Sequence, residues 1–226
     1  LEMGPTWSRF DLVAEGVRQR CAIHLPGPFN IFNAALASGL ARTLEIPWSE
    51  IVAGLDNLKQ VPGRFESIPN ERGLTVIVDY AHSPASLENV LRAVRAMTSK
   101  RVISIFGCGG NRSADKRPIM GRLSASLADI TIVTSDNPRK EDPQEIVRQI
   151  MAGIEQLPSS QRREVCVEVD RRRAIEKGLS MALSGDVVLI AGKGHETGQT
   201  FADRTVPFDD REVAREILQL KEGKHV

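Results

Sequence analysis

From Leu74 onward, short apolar runs alternate with segments whose apolar residues recur at helical spacing. The apolar runs are rich in β-branched residues and predict strands, whereas the 3.6-residue period between them predicts helices. The predicted strands are 75–81, 101–106, 130–136, 165–169 and 186–192. The predicted helices are 84–97, 113–128, 142–156, 170–183 and 208–220. A less regular stretch, 200–207, predicts an exposed strand.

Helix-start signals agree with this pattern. Pro84 suits the first turn of its helix, and Asp142 precedes Pro143 as an N-cap. Asp170 caps the helix that follows the fourth strand in the same way. Strands that are apolar on both faces and alternate with helices pair in parallel through helical crossovers. The pattern therefore predicts an α/β fold with a doubly wound, mostly parallel sheet. In such sheets ligands bind beyond the carboxyl ends of the strands.

Residues 1–63 follow a different pattern. A helix within 24–44 begins after Gly27-Pro28 and carries no charge until Arg42, so we expect it to be buried or closely packed. A second helix spans 46–58, with Ser49 as its N-cap. Two helices with an irregular lead-in form a poor core by themselves. We therefore expect this segment to be the helical tail of another domain, joined to the sheet domain by a hinge at 61–66.

Charge and composition narrow the function. The chain has 226 residues with 30 basic and 29 acidic side chains, a net charge of +1. That balance argues against nucleic acid as a partner, because phosphate binding needs a clustered basic excess. The basic run 171–173 is interpreted as a solvent-exposed helix face.

Cysteine usage and hydropathy bear on location. The three cysteines fit neither a disulfide framework nor a zinc motif, which favours a reducing compartment. The sequence shows no signal peptide and no apolar run of about 18 residues. We therefore expect a cytoplasmic protein that binds no membrane. Because the first residue is Leu1, the leading Leu-Glu is either a cloning remnant or the edge of a piece cut from a longer chain.

The loop 106–118, FGCGGNRSADKRP, follows the second strand. Its glycines allow close backbone approach to a ligand, and Arg112, Lys116 and Arg117 add positive charge. It matches neither the dinucleotide-binding motif nor the P-loop. A tight turn with a solvated basic rim is an equally good interpretation of this loop by itself.

The loop 135–140, SDNPRK, follows the third strand. Asp136 and Asn137 can form an Asx turn, and Pro138 ends the strand, so a simple turn explains most of this loop. A turn does not explain Arg139, whose planar guanidinium suits bidentate capture of a carboxylate.

The loop 191–199, AGKGHETGQ, follows the fifth strand. It is no P-loop, and its His-Glu pair has no third metal ligand, so a simple turn again remains open. Taken together, the three loops offer Arg112, Arg139 and Lys193 as cations and Glu196 as an anion at one edge of the sheet. Separated charges of opposite sign favour a zwitterionic ligand such as an amino acid.

Five segments in this order resemble the Mur ligase family. They are VPGRFE, VDYAHSPASLE, GCGGNRSADKRPIMG, TSDNPRKEDP and AGKGHETGQ, and the resemblance runs from about Pro26 to the end of the chain. It implies that 1–63 is the tail of a central P-loop ATPase domain and that 64–226 is a Rossmann-like C-terminal domain. Asn111 and Ala85 stand where the family often has aspartate, which affects loop geometry but removes no expected ligand.

The resemblance also implies a reaction. ATP, with Mg²⁺, phosphorylates a carboxylate of UDP-MurNAc-L-Ala-D-Glu, and the amine of meso-diaminopimelate attacks the acyl phosphate. It assigns the amino acid to the residues Arg112, Asp136, Asn137, Pro138, Arg139, Gly192 and Glu196. It assigns the nucleotide to Asn33, Arg64 and Asp79, with Lys116 and His82 near the phosphates as weaker catalytic candidates.

The resemblance further implies a monomer with no metal site in this chain. Because the sequence contains no P-loop, we expect this chain alone to be inactive. Two alternatives remain open at this point. One is a non-catalytic module that binds a zwitterionic amino acid. The other is a related Mur or folylpolyglutamate-type ligase with another substrate.

Overall fold

The computed structural model describes residues 1–4, 7–14 and 16–222, with side chains described up to residue 219. The chain divides into two compact units, Leu1–Val61 and Pro62–Val226.

The first unit combines a three-stranded antiparallel sheet with two helices. Its elements are β1 (Glu2–Met3), β2 (Ser8–Ala14), β3 (Val17–Ile23), α1 (Pro28–Thr43) and α2 (Trp48–Asn57). The two helices were predicted, but the three strands were not. The strands supply Phe10, Cys21 and Ile23 to a small core that also contains Leu25 and Ala34.

Two details of the first unit bear on the sequence-based predictions. The N-cap of α2 is Pro47, so Ser49 lies inside the helix rather than capping it. Within this chain the close packing expected of α1 is seen on one face, at Asn30, Ala34 and Ser38, whereas Phe32, Leu36 and Leu40 on another face are 64%, 59% and 66% exposed.

The second unit is built on a six-stranded sheet in the order β4-β5-β9-β6-β7-β8. The strand β4 pairs antiparallel, and the other neighbours pair in parallel. The strands are β4 (Glu66–Ile68), β5 (Thr75–Asp79), β6 (Val102–Phe106), β7 (Ile130–Val133), β8 (Glu164–Val167) and β9 (Val187–Ala191). The predicted parallel α/β sheet is confirmed, with an unpredicted antiparallel strand at one edge.

Helices cover both faces of this sheet. They are α3 (Pro84–Met97), α4 (Lys116–Leu127), α5 (Pro143–Glu155), α6 (Arg171–Met181) and α7 (Asp210–Glu222). The apolar sides of α6 and α7 pack on the face that carries Val76, Val78 and Ile103. Since side chains alternate along a strand, α3, α4 and α5, which contact the central strands, cover the opposite face.

The stretch 200–207, predicted as one exposed strand, is a hairpin instead. Its two strands are β10 (Gly198–Thr200) and β11 (Thr205–Pro207), which pair antiparallel. Phe201 N donates to Arg204 O and closes the turn between them. The hairpin follows the loop that leaves β9 and therefore stands at the carboxyl edge of the sheet.

Candidate functional site

The carboxyl ends of β6, β7 and β9 bring the three predicted loops together. Gly110 N donates to Asn137 O at 2.8 Å, which joins the first loop to the second. This approach requires glycine, since a Cβ on Gly110 would lie 1.8 Å from the carbonyl oxygen of Pro138. Asn137 Nδ2 donates to Glu196 Oε2 at 2.7 Å, which joins the second loop to the third.

The second and third loops and the hairpin line an open cavity of about 550 Å³. One wall of the cavity is the β10–β11 hairpin, which was not predicted. The short segments on either side of Asp203 are nevertheless a pattern typical of a hairpin. The lining residues are Asn137, Arg139, Glu196, Thr197, Gly198, Thr200, Thr205, Val206 and Pro207.

Arg139 is half-buried at this cavity, and hydrogen bonds hold both its backbone N–H and its guanidinium. Its φ of 53° lies in the left-handed region, which costs a non-glycine residue of order 1–2 kcal/mol. Arg139 N donates to Thr200 O at 2.9 Å, and Nη1 donates to Gly110 O at 2.8 Å. Within the part of the chain that the structure describes, Nε and Nη2 make no hydrogen bond. The guanidinium therefore keeps one edge for a bidentate carboxylate.

Glu196 supplies the opposite charge. Its Oε2 accepts hydrogen bonds from Asn137 and from Lys193, the latter at 3.0 Å. Its Oε1 accepts none from the described residues. Burial alone would raise the pKa of this carboxyl, but the bonds from Lys193 and Asn137, with the charges of Lys193 and Arg139, hold the pKa below its ordinary value. Glu196 is therefore an anion at neutral pH.

Asp136, Pro138 and Gly192 frame the cavity without lining it. Asp136 is buried, its Oδ1 accepting from Asn137 N and its carbonyl oxygen from Gln199 Nε2. Gly192 adopts a φ of 118° and donates its N–H to Asp79 O. Asp136 does not form the expected Asx turn, because its side chain accepts from the N–H of the next residue and Pro138, two residues on, has no N–H. Its bonds to Asn137 and Gln199 instead make it part of the scaffold behind Arg139.

Arg112 is exposed on the glycine loop and does not line the cavity. Arg117 corrects the expectation of a solvated basic rim, since it is fully buried. It forms two hydrogen bonds with the carboxylate of Glu141 and one with Gln149. Within this loop it is a structural cation.

Arg171 also corrects the sequence-based interpretation, because it is buried rather than on a solvated face. It forms a two-pronged ion pair with Asp210, with both bonds at 2.7 Å. It also donates to Ser135 O and Ala191 O, at the starts of two site loops. The sequence around residues 171–173 does not indicate that Arg171 is a buried ion-pair partner, because Asp210 lies 39 residues away in the chain.

A second cluster lies at the end of β5. The guanidinium of Arg64 stands 4.7 Å from the ring centroid of Tyr80, and the ring of His82 stands 4.5 Å from the same ring. Lys116 Nζ donates to His82 O at 2.7 Å. Asp79 Oδ2 accepts from Phe65 N, and burial raises the pKa of this carboxyl.

The structure thus brings together four of the five residues that the sequence associates with a nucleotide, namely Arg64, Asp79, His82 and Lys116. The fifth, Asn33, is exposed on α1 in the first unit. Among the described residues, no group of three or more His, Cys, Asp and Glu side chains is arranged to hold a metal ion. No helix of the described residues has the length and apolar character to cross a membrane.

The fold and the cavity define a class: a doubly wound α/β domain whose strand-end loops place a cation and an anion at one cavity. A model of the family described as "Mur ligase, glutamate ligase domain" matches residues 63–194, which is more than half of the chain. The chain belongs to this family.

Curated relatives share the resemblance over nearly the whole chain. The chain is 44% identical over 216 residues to the UDP-N-acetylmuramoyl-L-alanyl-D-glutamate–2,6-diaminopimelate ligase of Clostridium perfringens, an alignment that covers 95% of this chain and 43% of that protein. It is 45% identical over 197 residues to the ligase of the same name from Syntrophomonas wolfei, covering 87% and 40%. The chain spans less than half the length of these relatives.

Solved structures agree. A structure of a UDP-N-acetylmuramoyl-L-alanyl-D-glutamate–2,6-diaminopimelate ligase superposes with a TM-score of 0.70 at 33% identity, covering 98% of this chain and 44% of that one. The folylpolyglutamate synthase of Thermotoga maritima matches with a TM-score of 0.64 at 23% identity, covering 97% and 45%, which shows a shared fold alone.

Proposed function

We propose that this chain is part of an ATP-dependent ligase that adds meso-diaminopimelate to UDP-MurNAc-L-Ala-D-Glu in peptidoglycan synthesis. The chain supplies the amino-acid site, and the reaction passes through an acyl phosphate in the whole protein. Residues 64–226 are the C-terminal domain, and residues 1–63 are the tail of the central ATP-binding domain. The printed names of the relatives, together with identities of 44–45%, support this assignment.

The observation that carries the proposal is the pairing of Arg139 and Glu196 in one cavity. Diaminopimelate has an ammonium and a carboxylate at each end, whereas lysine has only an ammonium at its far end. The open Nε–Nη2 edge of Arg139 suits the far carboxylate, and the open Oε1 of Glu196 suits the far ammonium. The cavity is therefore complementary to the group that distinguishes these two amino acids.

The remaining assigned residues act around this pair. Asn137 lines the cavity and holds Glu196 through its amide. Asp136, Pro138 and Gly192 shape the loops behind it. Arg112, which is exposed on the glycine-rich loop, serves the same carboxylate from the rim.

The cluster at the end of β5 serves the nucleotide. Arg64 and Lys116 present cations suited to phosphate, and Asp79 presents an acceptor suited to ribose hydroxyls, with His82 beside them. The assignment of Asn33 to the adenine stays a prediction from the sequence. ATP and Mg²⁺ belong to the proposal as co-substrate and cofactor of the whole protein. The described residues do not themselves offer a metal site, so we assign no metal ligand to this chain.

The monomeric state, the cytoplasmic location and the absence of nucleic-acid or membrane partners stay predictions from the sequence. A non-catalytic module for zwitterionic amino acids would use the same cavity, so ligand binding alone does not separate the two hypotheses. ATP- and UDP-MurNAc-L-Ala-D-Glu-dependent incorporation of diaminopimelate by the intact protein that contains this chain separates them.

The substrate is tested by calorimetric titration of the chain with meso-diaminopimelate and with L-lysine, repeated on Arg139→Ala. We expect the wild-type chain to prefer diaminopimelate and the variant to lose about 30-fold or more in affinity for it, because a desolvated charged contact is worth on the order of 2–5 kcal/mol. Arg172→Ala, which removes an exposed arginine paired with Glu216, is the matched control. Equal binding of both amino acids by the wild-type chain would contradict the proposed substrate.

A further inference from the structure

Lys193 is fully buried beneath the candidate amino-acid site. Its Nζ donates to Asn137 Oδ1 at 3.2 Å, to Glu196 Oε2 at 3.0 Å and to Gly198 O at 2.6 Å. An ammonium has three N–H donors, so these three acceptors saturate it. Lys193 is therefore not the ligand-facing cation that the sequence indicated, and its charge serves groups of the protein.

The first of these groups is the amide of Asn137. Its Oδ1 receives hydrogen bonds from Lys193 and from Thr200 N, the latter at 2.9 Å. Both partners are donors, so the oxygen of the amide must face them and the nitrogen must face away. This fixes Nδ2 toward Glu196, where it donates at 2.7 Å.

The second group is the carboxylate of Glu196. Lys193 and Asn137 both bind Oε2, which directs Oε1 away from them on a residue that lines the cavity. The other charges that act on Glu196 are the guanidinium groups of Arg139 and Arg171. Arg171 is already paired with Asp210, and Arg139 stands at the cavity wall. Lys193 is thus the cation bonded directly to this carboxylate.

We propose that Lys193 is a positioning residue of the amino-acid site: it fixes the Asn137 amide and the Glu196 carboxylate so that Oε1 of Glu196 meets the far ammonium of the substrate. This inference rests on the proposed function. Lys193 joins the loop after β7, the loop after β9 and the first residue of the hairpin. It acts through Glu196 and Asn137 and does not touch the substrate.

The test compares two ligands on the full 226-residue chain by calorimetry. One is meso-diaminopimelate, and the other is 2-aminopimelate, which keeps both carboxylates and lacks the second amino group. We expect Lys193→Met to weaken diaminopimelate binding about 30-fold or more while changing 2-aminopimelate binding less than about threefold, because only the former uses Glu196. Lys100→Met removes an exposed lysine before β6, at the opposite edge of the sheet, and should change neither affinity.

A double-mutant cycle separates positioning from a general loss of structure. If Lys193 acts through Glu196, Lys193→Met should have less than a threefold effect on diaminopimelate affinity in a Glu196→Gln background. An equal loss for both ligands, or a full effect in that background, overturns the inference. Wild-type chain that binds no diaminopimelate contradicts the proposed function, whereas binding that Lys193→Met leaves unchanged contradicts the role of Lys193 alone.

A measurement on the wild-type chain covers the case in which Lys193→Met does not fold. The side-chain carboxyl resonance of Glu196 is followed by NMR as the pH is lowered. A midpoint below the ordinary glutamate value of about 4.3 supports the inference, because the bond and charge of Lys193, ahead of those of Asn137 and Arg139, stabilise the anion that receives the ligand. A midpoint at or above that value overturns it.

Discussion

The two edges of the second unit's sheet use carboxylates in opposite ways. At the amino edge, Asp186 accepts from the side chain and backbone N–H of Arg101 and from Leu183 N. Asp129 there accepts from Arg95, Arg163 and Val102 N. Both oxygens of each carboxylate are thus bonded within the protein. At the carboxyl edge, Glu196 uses one oxygen and keeps the other open.

The two edges differ in whether their charged side chains keep polar atoms that are not hydrogen-bonded within the protein. The amino-edge bonds connect strand starts to neighbouring segments and leave neither carboxylate with an unused oxygen. The carboxyl-edge bonds use one side of the Arg139 guanidinium and one oxygen of the Glu196 carboxylate, and both residues line a cavity of about 550 Å³. A carboxylate with both oxygens hydrogen-bonded inside the protein contributes to the fold. A carboxylate that keeps one oxygen open at a cavity can also bind a ligand.

The largest expected effect comes from the buried pair behind the carboxyl edge. Arg171→Met should destabilise the chain by about 3–5 kcal/mol, because it leaves Asp210 buried without its partner. Urea denaturation measures the loss. The double variant Arg171→Met/Asp210→Leu should recover part of it, and Arg172→Met, which removes an exposed charge, should cost less than about 1 kcal/mol. Equal losses for Arg171→Met and Arg172→Met would contradict this account of the edge.

The next largest loss of stability is expected where the glycine-rich loop contacts the loop that carries Arg139. Gly110→Ala places a Cβ 1.8 Å from Pro138 O, so the loop that carries Arg139 must shift. We expect a loss of about 1–3 kcal/mol in stability together with weaker diaminopimelate binding. Gly39→Ala in α1 is the control, since its Cβ would meet nothing within 4 Å, and it should stabilise by about 0.5–1 kcal/mol. Unchanged binding by Gly110→Ala would show that this approach does not position Arg139.

The carboxylates at the amino edge should make the unfolding free energy depend on pH. Burial alone would raise the pKa of Asp186, but the bonds from Arg101 and Leu183 lower it below the ordinary value. Since the folded pKa is the lower one, the stabilisation is present above the ordinary value of about 3.9 and is lost as the pH falls through the folded pKa. Asp186→Asn should therefore flatten the decline in unfolding free energy below about pH 4. Superimposable pH profiles for variant and wild type would rule this out.

The smallest effect is expected at the rim. Arg112 is exposed, so Arg112→Ala should weaken diaminopimelate binding only about threefold to tenfold, with the loss shrinking as salt is added. Calorimetry at two ionic strengths measures it. A loss as large as that of Arg139→Ala would instead place Arg112 inside the site.

Much of this fold was predictable because local and global signals agree. The helix predicted at 84–97 has those bounds, since Ser83 forms a capping box, Pro84 occupies the first turn and Leu87, Val90, Leu91 and Val94 form one buried face. The strands at 8–23 were missed although Phe10 and Leu12 alternate with charged residues, a pattern that shows strand spacing. Because the segment contains many polar residues, its strands were not predicted.

The position of the site loops could be predicted from the sequence, but the hydrogen-bond partners of the site side chains could not. The parallel sheet places the three loops at one edge, so Asn137, Arg139 and Glu196 could be expected near one another. Sequence alone does not show which cations turn inward, because the partners of Arg171 and Arg117 are distant in the chain. Lys193 looked like a ligand-facing cation because a Gly-Lys-Gly sequence does not show whether the side chain turns inward. Only the folded geometry shows that its three donors are used within the protein.

The most direct test of the central claim is a crystal structure of the chain with meso-diaminopimelate. The account predicts one end of the amino acid in the cavity, with its carboxylate on Nε and Nη2 of Arg139 and its ammonium on Oε1 of Glu196. A ligand bound elsewhere, or bound in this cavity with its carboxylate turned away from Arg139, would contradict the account.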